Sequence, residues 1–210
     1  MDYYQRKNLY DQVESPEELL TFMDRCIKYG IYGTDGGVYE DWDADGDSDF
    51  QVACQTKYAL CDIDRSLKYG YGTCWDQVEL ERDWFRKNNY RFKTLFIWFL
   101  FDEDNNYITH SYLIYKDKVT NEYCYFEHAD SNDAGIHKFK TYHDAIEYQK
   151  NKHIKFNELC GNIIDDDVLE HLTIHEFNHP RYGCSSMEYI ENILNSKIIY
   201  KNNHYTDLDF

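Results

Sequence analysis

Cys74 differs from the other six cysteines of the chain in its neighbours. In Gly72-Thr73-Cys74-Trp75-Asp76-Gln77, Thr73 suits a helix N-cap, which puts Cys74 in the first turn of the following helix. Unpaired N–H groups and the positive end of the helix dipole favour a thiolate there. Gly70 and Gly72 leave room for another chain, such as a substrate backbone, to come close. A thiol nucleophile needs a base, and the base needs an orienting acceptor. His110, in Thr109-His110-Ser111-Tyr112-Leu113-Ile114-Tyr115, and Glu127, in Tyr125-Phe126-Glu127-His128, supply both downstream. The chemistry would be acyl transfer: attack of sulfur on an amide or ester carbonyl, protonation of the leaving group, and passage of the thioester to water or an amine. Taken singly, each residue has a plainer account: a core cysteine after a turn, a hydrogen-bonded strand histidine, a solvated strand end. Their order is what points to chemistry.

Three other constellations compete. His175-Glu176-Phe177-Asn178-His179 matches H-E-x-x-H, and on a helix His175 and His179 would share a face able to bind zinc. Alternation along Leu172–Phe177 and Pro180 directly after His179 argue for a strand instead. Asp41, Asp43 and Asp45, followed by Gly46, resemble the first half of a calcium loop, but Val52 stands where an EF-hand places its bidentate glutamate. The plainer account is a solvated acidic loop that repels anions or attracts basic substrates. Cys184 also precedes a helix, but only His204 follows it, so it ranks below Cys74. No metal or other cofactor is therefore expected.

Those side chains need elements to place them. Ser15-Pro16-Glu17-Glu18 predicts a helix from there to about Lys28, with Glu18 closing a capping box. A second helix is expected near Gln51–Leu60 and a third from Cys74 to about Asn88. On that third helix Trp75, Val78 and Phe85 fall on one arc and Leu80 and Trp84 on roughly the opposite one, so it should be buried on two sides. Tyr90–Asp102, Tyr107–Tyr115 and Tyr123–His128 read as three strands joined by short polar turns, an antiparallel meander that can bring His110 and Glu127 side by side. A helix at Tyr142–Lys152, a strand at His171–Phe177 and a helix from Ser185 to about Asn195 complete an α+β chain. It is expected to form a single domain, with a helical and acidic-loop flank over 1–69 and a strand–helix extension over 138–210.

With these residues in view, the chain resembles the transglutaminase-like branch of the papain-like cysteine enzymes. The likeness rests on G-T-C-W-D at 72–76, T-H-S-Y-L-I-Y at 109–115 and Y-F-E-H at 125–128, about a third of the chain. It implies a papain-like core, a central helix packed on an antiparallel sheet, with Cys74 as nucleophile, His110 as general base and acid, and Glu127 as orienter. Aspartate is usual at the last position of that branch, so Asp130 is a substitute for Glu127 and His128 a rival base. Hydrolysis of a protein or peptide substrate is the leading expectation, with deamidation or transamidation beside it. The alternative is a binding or inhibitor protein that keeps the fold without turnover.

Composition narrows the partners. Thirty-nine acidic against 22 basic side chains give a net charge of −17, which argues against nucleic acid and anionic membrane surfaces as partners. With 18% aromatic residues the chain should fold despite its charge. Odd-numbered, scattered cysteines and a polar Met1–Leu9 predict reduced thiols in a cytoplasmic protein.

Overall fold

The structure, a computed structural model, describes residues 1–40, 49–100, 107–159, 161–206 and 208–210. In chain order the described elements begin with α1 (Tyr3–Asp11), α2 (Pro16–Cys26), β1 (Lys28–Tyr29), β2 (Ile31–Tyr32), β3 (Val38–Tyr39), α3 (Asp49–Thr56), α4 (Ile63–Tyr69), β4 (Tyr71–Gly72) and α5 (Cys74–Lys87). There follow β5 (Phe92–Leu100), β6 (Tyr107–Lys116), β7 (Tyr123–Glu127), β8 (Gly135–Phe139), α6 (Tyr142–Leu159), α7 (Asp166–Glu170), β9 (Thr173–Glu176), α8 (Ser186–Leu194), β10 (Lys197–Lys201) and β11 (His204–Tyr205). The chain is thus α+β, as its patterning predicts. It divides into two compact units, one of Met1–Asn88, Glu127–Ile136 and His179–Asn192, the other of Asn89–Phe126, His137–Asn178 and Ile193–Phe210. The first therefore runs past residue 69, and α5 belongs with the N-terminal helices.

In the first unit, the helix starts follow their capping chemistry. Asp2 and Gln5 form a reciprocal capping box at α1, and the Ser15 hydroxyl accepts the Glu18 N–H at α2. Glu18 itself takes the N–H of Glu14 rather than that of Ser15. Helix α5 is buried around most of its circumference, polar Asp76, Gln77, Glu79, Glu81 and Arg82 included. Trp84 Nε1 donates to the Val13 carbonyl, and the Tyr10 hydroxyl meets Leu80 O and Asp83, tying α1 and the α1–α2 link to α5. The Trp75 ring stacks on Tyr189 at 4.6 Å and meets Tyr58 edge-on at 5.3 Å. One two-residue parallel pair, β1 with β4, sets Tyr29 opposite Gly72, immediately before the start of α5.

The second unit is built on a seven-stranded sheet ordered β11-β10-β9-β5-β6-β7-β8. The meander β5-β6-β7 is antiparallel, and β9 adds antiparallel to the free side of β5. Period-two alternation sends Leu95, Ile97, Phe99, Tyr112, Ile114 and Tyr125 to one face, where they pack with Tyr142, Ala145 and Ile146 of α6 in a fully buried cluster. Phe96, Leu113 and Phe126, on the alternate positions, are buried as well. A sheet apolar on both faces explains why Phe92–Leu100 reads as a nearly continuous apolar run. The expected turn at 103–106 lies outside the described residues.

Candidate active site

The geometry around Cys74 begins with Asp76. Cys74 is the first residue of α5, after Thr73, whose N–H and hydroxyl both donate to Asp76 Oδ2 at 2.9 and 3.0 Å. Asp76 Oδ1 accepts the Cys61 N–H at 2.8 Å and the Tyr58 hydroxyl at 3.1 Å. Burial pushes the Asp76 pKa up, and these donors oppose that shift. One carboxylate therefore locks the start of α5 to the Tyr58–Cys61 segment.

The two glycines have reasons internal to the chain. Gly70 caps α4 in the left-handed region at φ 73°, under the Arg6 guanidinium. At Gly72 a Cβ would lie 2.9 Å from the Asp76 Cβ. The room expected there for a substrate backbone is filled by the chain's own side chains. The thiol is also more enclosed than an exposed helix tip, at 6% exposure. Tyr29, on β1 of the β1–β4 pair, and Cys54 of α3 lie close to it. Burial beside Cys74 raises the Tyr29 pKa and pushes the Cys54 thiol up to about 12.

One turn along α5 from Cys74, Gln77 spans two partners. Its Nε2 donates to the Gly72 carbonyl at 2.9 Å, and its Oε1 lies 2.7 Å from His128 Nδ1. Residues three apart share a helix face. Cys74, Gln77 and His128 thus line up within one unit. Burial lowers the His128 pKa, while the charges of Glu127 and Asp24 work the other way. Glu127 is buried at 2% exposure and accepts the Asp130 N–H at 2.9 Å; the Asp130 carboxylate in turn accepts the Asn132 N–H.

His110 belongs to the second unit. It sits on β6 directly opposite Ile97 and stacks on Tyr112 with ring centroids 6.1 Å apart. It therefore shares the sheet face covered by α6. The β6–β7 ladder runs from Leu113↔Phe126 to Lys116↔Tyr123, so neither His110 nor Glu127 is a registered pair of it.

The start of the zinc-like motif is a strand rather than a helix, as its alternation suggested. His175 and Glu176 lie on strand β9, with Glu176 held between Lys93 and Lys197. His179 belongs to the first unit, where its Nδ1 meets the buried Glu79 carboxylate at 3.0 Å. The calcium candidates Asp41, Asp43 and Asp45 lie outside the described residues. Among the described residues no group of three His, Cys, Asp or Glu side chains is arranged to hold a metal ion. Cys184 is buried, and burial pushes its thiol up to about 11. An open cleft of about 630 Å³ lies in the first unit between Tyr32, Asp35, Asp64, Arg65 and Tyr69, without Cys74 in its wall. Its polar walls are largely spent on one another: Tyr3 donates to Asp64, Asp35 pairs with Tyr39 and Lys57, and Tyr32 stacks on Tyr69. It offers less convergent chemistry than the start of α5.

Sequence reasoning misses Tyr29, Asp76 and Gln77. Gln77 was legible, because three-residue spacing from Cys74 puts it on the same helix face. Tyr29 was not, because a two-residue parallel pair across more than forty positions leaves no local signal. No protein-family model matches the chain, and no curated protein matches it. Among the described residues no helix is long and apolar enough to cross a membrane.

Proposed function

We propose that the protein is a thiol-dependent acyl-transfer enzyme with Cys74 as nucleophile, acting as a hydrolase of protein or peptide amides in the cytoplasm. The observation that carries this reading is a cysteine at the first position of a buried helix, with an imidazole hydrogen-bonded one turn along the same helix face. The resemblance of G-T-C-W-D and its downstream motifs to transglutaminase-like enzymes, on a papain-like core, supports the same chemistry. It assigns the base to His110 and the orienter to Glu127. The local geometry favours His128 as base, since His128 meets Gln77, which lies one turn along α5 from Cys74.

The step follows from these groups. His128, neutral because burial lowers its pKa, takes the thiol proton as sulfur attacks the carbonyl carbon. The carbon–sulfur bond forms, and first-turn N–H groups of α5 face the developing oxyanion. The imidazolium, favoured by the charges of Glu127 and Asp24, returns its proton to the leaving nitrogen as the carbon–nitrogen bond breaks. Water then adds to the thioester while the imidazole accepts a water proton, and the thiol leaves protonated.

A p-nitrophenyl acetate burst with peptide mapping tests this reading. Acetyl should appear on Cys74, be absent in Cys74→Ser, and form roughly 100-fold more slowly in His128→Asn. Absence of acylation in a folded wild-type chain would favour a non-catalytic binding protein instead. Slowing confined to His110→Asn would restore the base implied by the resemblance.

A further inference from the structure

The Gly72 carbonyl is an acceptor only, so the Gln77 atom 2.9 Å from it must be the amide nitrogen. That fixes the other end of the amide as oxygen. Lying 2.7 Å from His128 Nδ1, this oxygen can only accept, so Nδ1 must carry hydrogen. Turning the amide over would set oxygen against oxygen at Gly72. The Gly72 carbonyl also accepts the Gly30 N–H at 3.4 Å. Gln77 is 2% exposed, so water does not compete readily for either end.

We infer that Gln77 is a positioning residue that holds His128 as its Nδ1–H tautomer, leaving the basic lone pair on Nε2. For catalysis this rests on the reading of Cys74 as nucleophile and His128 as base; the tautomer stands without it. A chain of Gly72 carbonyl, Gln77 amide and His128 imidazole then ties the base to the same short strand that leads into Cys74. The acceptor is neutral, so it orients the ring without fixing its charge. Charged groups facing His128 are Glu127 beside it and Asp24 of α2.

The test is long-range nitrogen–proton NMR on the full chain with labelled histidine. The signal of His128 among the nine histidines is identified by its loss in His128→Asn. Expected in the wild type at neutral pH is a protonated Nδ1 and an unprotonated Nε2. Gln77→Leu should abolish this preference, and Gln77→Glu should keep it and raise the His128 titration midpoint by about one pH unit. A wild-type ring protonated on Nε2, or an unchanged tautomer in Gln77→Leu, overturns the inference, and the wild-type spectrum alone decides it if Gln77→Leu does not fold. Acetylation of Cys74 should slow roughly 10- to 100-fold in Gln77→Leu, with recovery in Gln77→Glu. A confirmed tautomer with unchanged acylation in Gln77→Leu and His128→Asn would refute the catalytic role, and with it the choice of base, while sparing the tautomer.

Discussion

Asp76 concentrates more of the site's rigidity in one side chain than any thiol or imidazole does. It accepts from Thr73 twice, from Cys61 and from Tyr58, all in a buried setting. Asp76→Ala strands those donors, and a loss of roughly 3–5 kcal/mol is expected in urea unfolding. Asp76→Asn should cost about half as much, because its amide NH₂ must face a donor on one side. A small effect of Asp76→Ala would mean that the start of α5 is held by something else. His175 makes a different residue-scale prediction. Burial, helped by Lys201, lowers its pKa from 6.5 to about 4. The unfolded chain therefore binds a proton there from pH 6.5 downward, and the folded chain does so only near pH 4. Stability from this group is present above pH 6.5 and is lost as pH falls toward about 4, by an amount on the order of 2–3 kcal/mol. The stability gap between wild type and His175→Gln, followed by chemical unfolding across that window, should shift by this amount in the variant's favour.

At the scale of elements, the chain was most legible where one local rule decides the outcome. Ser15, Thr73 and Ser185 each mark a real helix start, and the meander emerges from alternation and polar turns. Helices α1 and α4 and the β10–β11 hairpin went unforeseen. Helix α1 has a weakly segregated apolar face, so its capping Asp2 was the readable signal. The hairpin was announced by Asn202-Asn203, which sit at φ 51° and 60° between the paired Lys201 and His204. Both central residues at positive φ make the tight turn that matches strand twist. Asn203→Gly should therefore hold or raise stability, and Asn203→Val should lower it by about 1–2 kcal/mol. Thermal unfolding of the pair checks this, and equal stability would deny the strained conformation. Cys74 was placed correctly on its helix by a cap rule, whereas its enclosure by Tyr29 depends on β1–β4, which no local pattern encodes.

At the scale of the whole molecule, the charge of −17 acts on stability as well as on partners. Self-repulsion of a compact acidic chain is screened by salt. Raising ionic strength from low to physiological should raise Tm by about 2–4 °C, equivalent to roughly 1 kcal/mol for a chain of this size. A Tm that falls with salt would show that attractive ion pairs such as Lys93–Glu176 outweigh the repulsion. The cysteines also divide at this scale. The six described are not joined in disulfides, and burial holds Cys54, Cys124 and Cys184 at about 12, 11 and 11 and raises Cys61 and Cys26 as well. Those thiols are poor nucleophiles at neutral pH.

Selective alkylation addresses the central claim most directly. The full chain is exposed briefly to iodoacetamide at mildly acidic pH and read by intact mass and peptide mapping, beside His128→Ala and His110→Ala. A single adduct on Cys74, forming at least about tenfold faster than on any other thiol and slowed in His128→Ala, is the result expected. Slow, uniform labelling of all the thiols, unchanged by either histidine substitution, would contradict it.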